Sequence, residues 1–181
     1  MKTWKELRYV AFLMLAAFVL VSCSDNPEWA DPEAHERTVQ LNEQYAPLIV
    51  GTWNYEHIGE KYHFIEQLTF NADGTFTGNR TWQSRSLVTI DGEEKYTDWE
   101  DVDDLCGDFT GEWSLSCTNP FGGANADYLY LDAKFVDERK EFMAYSDYMP
   151  FSYVNNSTLC IKSKYFLDEN GWTNYQKGKE K

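Results

Sequence analysis

Glu66 and Arg80 are the two side chains in this sequence whose surroundings most suggest chemistry, because Phe64, Leu68 and Trp82 flank them at even spacing. A carboxylate and a guanidinium turned into apolar surroundings are costly unless each satisfies the other. Two readings stay open. The pair is either a polar handle inside an apolar ligand pocket or a structural bridge closing an interior already filled by side chains. Tyr55 and His57 on the preceding segment would share that interior. Other chemistry is sparse. His57 and His63 lie near each other, yet no third ligand accompanies them, so no metal is expected. His35 stands apart, and no histidine sits beside a nucleophile in a way that assembles a Ser-His-Asp or Cys-His relay. No pair of carboxylates is singled out for hydrolysis. Residues 91–112 are densely acidic but lack the D-x-D-x-D-G order of a calcium loop, so a solvated loop is expected there rather than a Ca²⁺ site. Within it, Trp99 either anchors a partner or a sugar ring, or packs back on the domain. A non-enzymatic protein without a cofactor is the expectation.

Positioning Glu66 opposite Arg80 requires a hairpin of one particular register. Asn71-Ala72-Asp73-Gly74 is a turn signal, with Gly74 suited to the left-handed position of a three-residue loop. That turn sets Phe70 against Phe76, Leu68 against Gly78, Glu66 against Arg80 and Phe64 against Trp82. Gln67, Thr69, Thr75, Thr77, Asn79 and Thr81 fall on the other face, nearly all polar. A two-residue loop would scramble both faces. Alternation of this kind recurs through Gly51, Trp53, Tyr55 and His57, through Phe109 to Leu115, through Leu129 to Phe135, and through Leu159, Ile161 and Tyr165. Asp91-Gly92, Asn119-Pro120, Asn155-Asn156 and Asn170-Gly171 punctuate it. Eight or nine strands at such spacing predict an all-β fold, an up-and-down antiparallel barrel or a sandwich. Ahead of it, Asp31 as N-cap and Pro32 at the first helical position predict a short helix to Tyr45, before Pro47. Its apolar residues are few, so a marginal helix leaning on the domain is expected.

The N-terminus carries a different kind of signal. Lys2, Lys5 and Arg8 precede an unbroken apolar run over residues 9–21, too short to span a bilayer but fitting the core of an export signal. The run ends Leu20-Val21-Ser22-Cys23, which resembles the bacterial lipobox. That resemblance implies cleavage after Ser22 and lipidation of Cys23. Ser24 rather than Asp in the next position implies outer-membrane placement in the cell envelope. The acidic stretch Asp25, Glu28, Asp31 and Glu33 is either a surface-export signal or a plain solvated tether. Removing the first 22 residues takes three basic side chains and one acid from the 16 and 30 of the whole chain, leaving 13 against 29 and a net charge near −16. Such a surface repels nucleic acid and anionic headgroups. With Cys23 acylated, Cys106, Cys117 and Cys160 remain. At most one disulfide forms within the chain, and Cys106 with Cys117 is the local candidate. Without a C-x-x-C pair, redox or zinc chemistry has little support.

Leu48-Ile49-Val50-Gly51-Thr52-Trp53, Leu68 to Phe76 and Gly111-Glu112-Trp113-Ser114-Leu115 together resemble the small lipocalin-like domains of bacterial lipoproteins. The resemblance covers roughly residues 48–177. It implies an eight-stranded calycin-type barrel whose closed base is plugged by Trp53 beside Gly51, with Glu66, Arg80, Phe64, Leu68, Trp82, Tyr55 and His57 lining the interior. Lipocalins also stack an Arg from a late strand over that Trp. No Arg follows Arg139 here, so either Lys162 or Lys164 substitutes, or the barrel closes differently. The resulting organisation is an export signal over residues 1–22, an acidic tether with a short helix over 23–47, the barrel over 48–177 and a tail over 178–181. The resemblance implies a fold more than a function, and the expectation drawn from the residues is a monomeric, membrane-tethered protein holding a small, partly apolar ligand. The alternative is a filled barrel acting as a protein- or glycan-interaction module at the cell surface.

Overall fold

The computed structural model describes residues 31–162 and 171–178. The expectations for Cys23 and its signal, for Lys164 and Tyr165, and for the last three residues lie outside them.

Alternating apolar and polar side chains produce the strands β1 (Gly51–Ile58), β2 (Tyr62–Phe70), β3 (Thr75–Ser84), β4 (Leu87–Ile90), β5 (Glu93–Tyr96), β6 (Glu100–Asp101), β7 (Gly107–Thr118), β8 (Ala126–Phe135), β9 (Met143–Val154), β10 (Thr158–Ile161) and β11 (Thr173–Lys177). Eight of them, β1, β2, β3 and β7 to β11, each pair antiparallel with the next. β11 returns to β1 through Trp53 opposite Lys177 and Asn54 opposite Gln176. The result is an eight-stranded up-and-down barrel, in which closure leaves no free sheet edge along its full length. β4 and β5 form a separate hairpin, and β6 pairs with the end of β3. All three lie on the excursion between β3 and β7, so they mark one end of the barrel as its mouth. Residues 91–112 are thus part hairpin, part short strand and part barrel wall rather than one loop.

The β2–β3 register is the one the turn dictates: Phe70 faces Phe76, Leu68 faces Gly78, Glu66 faces Arg80 and Phe64 faces Trp82. Gly74 sits at φ +84°, and Asn71 N donates to Thr75 O at 2.9 Å. Phe64, Glu66, Leu68 and Phe70 are consequently all buried, while their neighbours are not. At Gly111 the wall itself leaves no room for a side chain, since an added Cβ would collide with the Asp132 carbonyl and the Ala133 backbone of β8.

Helix α1 (Pro32–Ile49) starts as its sequence indicates, with Asp31 Oδ1 accepting from Ala34 N at 3.1 Å. It is longer and more deeply involved than a marginal helix ending at Tyr45. Leu41, Tyr45 and Ile49, four residues apart, form one stripe, and Leu41 and Ile49 are fully buried in the barrel core. Pro47 is tolerated because its missing N–H strands only the carbonyl of Glu43, an exposed residue free to bond water. The helix also satisfies a strand. β3 pairs with β7 only as far as Thr75 opposite Glu112, so the last residues of β7 overhang. Asn42 Nδ2 donates to Leu115 O and Cys117 N donates to Thr38 Oγ1, each at 2.9 Å. With Tyr45 edge-on to Phe151 at 5.3 Å, α1 stoppers the end opposite the mouth.

The proposed Cys106–Cys117 disulfide does not form. The two residues sit at opposite ends of the extended β7, separated by about 36 Å of backbone at roughly 3.3 Å per residue, and all three cysteines of the described residues are free.

Candidate functional site

Register places Glu66 and Arg80 side by side in the lumen, and the barrel's curvature brings two further side chains to them. Arg80 Nε donates to Glu66 Oε1 at 2.9 Å. Tyr145 from β9 and Tyr175 from β11 each donate a hydroxyl to Glu66 Oε2 at 2.6 Å. Arg80 also donates to the Ala144 carbonyl at 3.3 Å, and its guanidinium lies 4.7 Å from the Tyr145 ring centre and 5.4 Å from that of Phe109. Burial works against the charge of Arg80, but the adjoining Tyr145 and the Glu66 carboxylate hold it protonated, above its ordinary value. Burial and then the Glu66 carboxylate push both phenols well above the usual tyrosine range, so they remain donors.

This arrangement decides between the two readings of the pair. Glu66 is 1% exposed and Arg80 2%, and every oxygen of the carboxylate already has a short donor. Trp53, Phe70, Phe76, Phe109 and Leu68 fill the space below, each under 2% exposed. Phe64 closes over the pair from above, 3% exposed and edge-on to Trp82 at 5.6 Å. Three cavities lie away from the pair: on the outer wall by Asn54 and Gln67, beside α1, and at the mouth. Glu66 and Arg80 are therefore the bridge of a filled interior.

Of the other expected lining residues, Leu68 and Phe64 are buried in the lumen, and Tyr55 is half-buried beside Tyr175 at 5.3 Å. His57 does not join them. It has the inward register, opposite Phe64, but lies at the rim and is exposed. His63 points outward between Gln83 and Glu56, 3.1 Å from each, so the two histidines share no site. No group of three or more His, Cys, Asp or Glu side chains gathers as a metal site among the described residues.

No protein-family model, curated protein or solved structure matches this chain. What each end of the barrel can do rests on its own side chains. At the base, Trp53 is fully buried and its Nε1 donates to Ile49 O at 2.6 Å. A cation over its ring is supplied by Lys177 on β11 rather than by Lys162, and its Nζ lies 5.0 Å from the ring centre and donates to the carbonyls of Leu48 and Val50 at 3.3 Å. At the mouth, Trp82 is half-buried and faces a groove of about 590 Å³ with Tyr62, Leu87, Val102 and Leu105. Tyr62 is 54% exposed and Leu87 44%, so the apolar surface there is open to solvent. The lip is polar. Arg85 is stacked between Tyr96 and Trp99, 4.4 and 4.2 Å from their ring centres, and donates to Glu60 O at 2.7 Å. Trp99 thus packs back on the mouth, with His63 at 5.8 Å. Cys106 braces the strand below, its thiol donating to Trp82 O at 3.3 Å and accepting from Trp82 N at 3.2 Å.

The groove residues Tyr62, Leu87, Val102 and Leu105 were not legible as a site. They come from the end of one hairpin and from an irregular excursion, and nothing in their spacing shows that they converge.

Proposed function

We propose that this chain is a lipid-anchored envelope protein of lipocalin-like type that binds a small, partly apolar ligand at the mouth of its barrel. The observation that carries the ligand site is the open groove around Trp82 and Tyr62, an aromatic wall with Lys61 and Arg85 at its edge. A concave, mainly apolar surface with a few polar groups is the ordinary form of a small-molecule site. The packed lumen argues against a ligand held deep inside, as both oxygens of the buried Glu66 carboxylate already accept from Arg80, Tyr145 and Tyr175.

The anchor reading is supported by the apolar run over residues 9–21 followed by Leu20-Val21-Ser22-Cys23. Three acyl chains there would make attachment effectively permanent, since each buried CH₂ contributes about 0.8 kcal/mol. Ser24 favours the outer membrane. The acidic residues that follow favour a monomer held clear of anionic surfaces.

Native mass spectrometry of the full-length chain purified from its own host tests the groove. A small co-purifying species is expected, lost in Trp82→Ala while the fold is kept. A wild-type mass with no noncovalent species beyond the processed, acylated chain, with tryptophan fluorescence unmoved by host lipid extract, would sink the ligand reading. Labelled palmitate incorporated by the wild type but not by Cys23→Ser tests the anchor separately.

A further inference from the structure

The groove at the mouth inverts the charge of the chain around it. The whole sequence holds 30 acidic side chains against 16 basic ones, yet the residues lining this groove include two cations, Lys61 and Arg85, and no acid. The β2–β3 register continues past the ends of both strands. Arg85 N donates to Lys61 O at 3.0 Å, which sets the two residues directly opposite one another. Like charges at opposed positions repel, and an anion between them relieves the repulsion.

Arg85 also differs from the other arginines. Arg37, Arg80 and Arg139 each bind a carboxylate, those of Asp127, Glu66 and Asp137. Arg85 forms no ion pair among the described residues, and neither does Lys61. Glu60 offers Arg85 only a backbone carbonyl, which accepts from Nε at 2.7 Å, while the Glu60 carboxylate accepts from the Tyr96 hydroxyl at 3.3 Å. Stacking between Tyr96 and Trp99 fixes the plane of the guanidinium. Its two terminal nitrogens donate to no described residue, and the side chain is half-buried rather than sealed. A planar fork held in this way matches the two oxygens of a carboxylate. Apolar surface begins beside it, since Tyr62 follows Lys61, Leu87 lies two residues beyond Arg85, and both are exposed.

We propose, resting on the mouth-ligand reading above, that the groove binds a monocarboxylate with an apolar body. The carboxylate sits between Arg85 and Lys61, and the apolar body lies along Tyr62, Trp82 and Leu87. Glu60 and Glu100, the latter opposite Ser84, stand at the same lip and repel a second negative charge, which favours a carboxylate over a phosphate dianion.

Isothermal titration of the full-length chain in phosphatidylcholine nanodiscs, with empty discs as the blank, provides the test. The probes share one eight-carbon chain length: octanoate, octanamide, octylammonium and octyl phosphate. Octanoate is expected to bind at least about tenfold more tightly than octanamide, the gain of charge-assisted hydrogen bonds over neutral ones. Octylammonium should bind no better than octanamide, and octyl phosphate more weakly than octanoate. Arg85→Gln should abolish the preference for octanoate over octanamide. Arg85→Lys should restore only part of it, because a point charge lacks the fork. Lys61→Gln should reduce it without abolishing it. If octanamide, octylammonium or octyl phosphate binds as tightly as octanoate, the carboxylate assignment is overturned while the mouth remains a ligand site. It is equally overturned if Arg85→Gln keeps the preference, since the arginine would then only brace Tyr96 and Trp99. Absence of binding by every probe would overturn the mouth-ligand reading as well.

Discussion

Replacing Arg80 by Met removes the bond to Glu66 Oε1 and the contact with Ala144 O, and leaves the carboxylate sealed in the lumen. Breaking a buried ion pair costs about 3–5 kcal/mol, because the remaining charge has lost its partner. Here Tyr145 and Tyr175 still donate to Oε2 at 2.6 Å, which places the loss near the lower end, about 3 kcal/mol. For a domain of this size that lowers Tm by roughly 10 °C. Glu66→Gln should cost a similar amount by stranding the guanidinium among Phe64, Phe109 and Tyr145. The combined variant, Glu66→Gln with Arg80→Met, has no isolated charge, so it should be about as stable as either single change. The expected coupling is about 3 kcal/mol, well beyond that of a surface pair. Urea unfolding followed by tryptophan fluorescence, with the slope m unchanged between variants, measures all three. A loss under about 1 kcal/mol for Arg80→Met, or additive losses in the combined variant, would refute the lumenal-bridge account.

Lys177→Met should destabilise by about 1–2 kcal/mol in the same assay, since it removes both the cation over Trp53 and two carbonyl bonds that join β11 to the C-terminal end of α1. Gly111→Ala should cost about 3 kcal/mol or more, because the obstruction is the β8 backbone and cannot turn aside. The raised phenols of Tyr145 and Tyr175 stabilise the fold at all pH values below the ordinary tyrosine value of 10.0, and that stability is lost as pH rises beyond it toward their folded values. Alkaline titration at the tyrosinate absorbance should therefore show two phenols that ionise only together with unfolding. Thermal melts with and without reductant should coincide, since the described cysteines form no bridge.

The hairpin that carries Glu66 and Arg80 could be read from residues 62–82 because one turn and strict alternation fix its register. The inward faces of β7 and β8 were legible for the same reason. What local pattern cannot supply is closure. Tyr145 and Tyr175 lie 79 and 109 residues from Glu66, and only the completed barrel shows that they meet it. Lys177 was hidden in the same way, as its partner Trp53 belongs to the other end of the domain. The helix was underestimated because its apolar stripe is only three residues, Leu41, Tyr45 and Ile49, and the rest of its docking runs through the polar Thr38 and Asn42. The placement of His57 failed at the rim, where an inward register no longer means burial.

The helix that stoppers the base has a consequence for how the chain folds. α1 is the first element of the described domain to be synthesised, but its contacts with the barrel arrive late. Thr38 waits for Cys117, 79 residues on; Arg37 waits for Asp127, 90 residues on; the Asp31 cap waits for Asn125, 94 residues on. Loops of that length close slowly, and their entropy must be met before the contacts return any stability. With β11 needed to seal β1, neither end of the barrel can be finished until the last strand has emerged. An aromatic-rich chain is exposed to aggregation through its unpaired strands while it waits. Under the proposed anchor, the length and charge of the acidic stretch after Cys23 would bear on assembly as well as on reach.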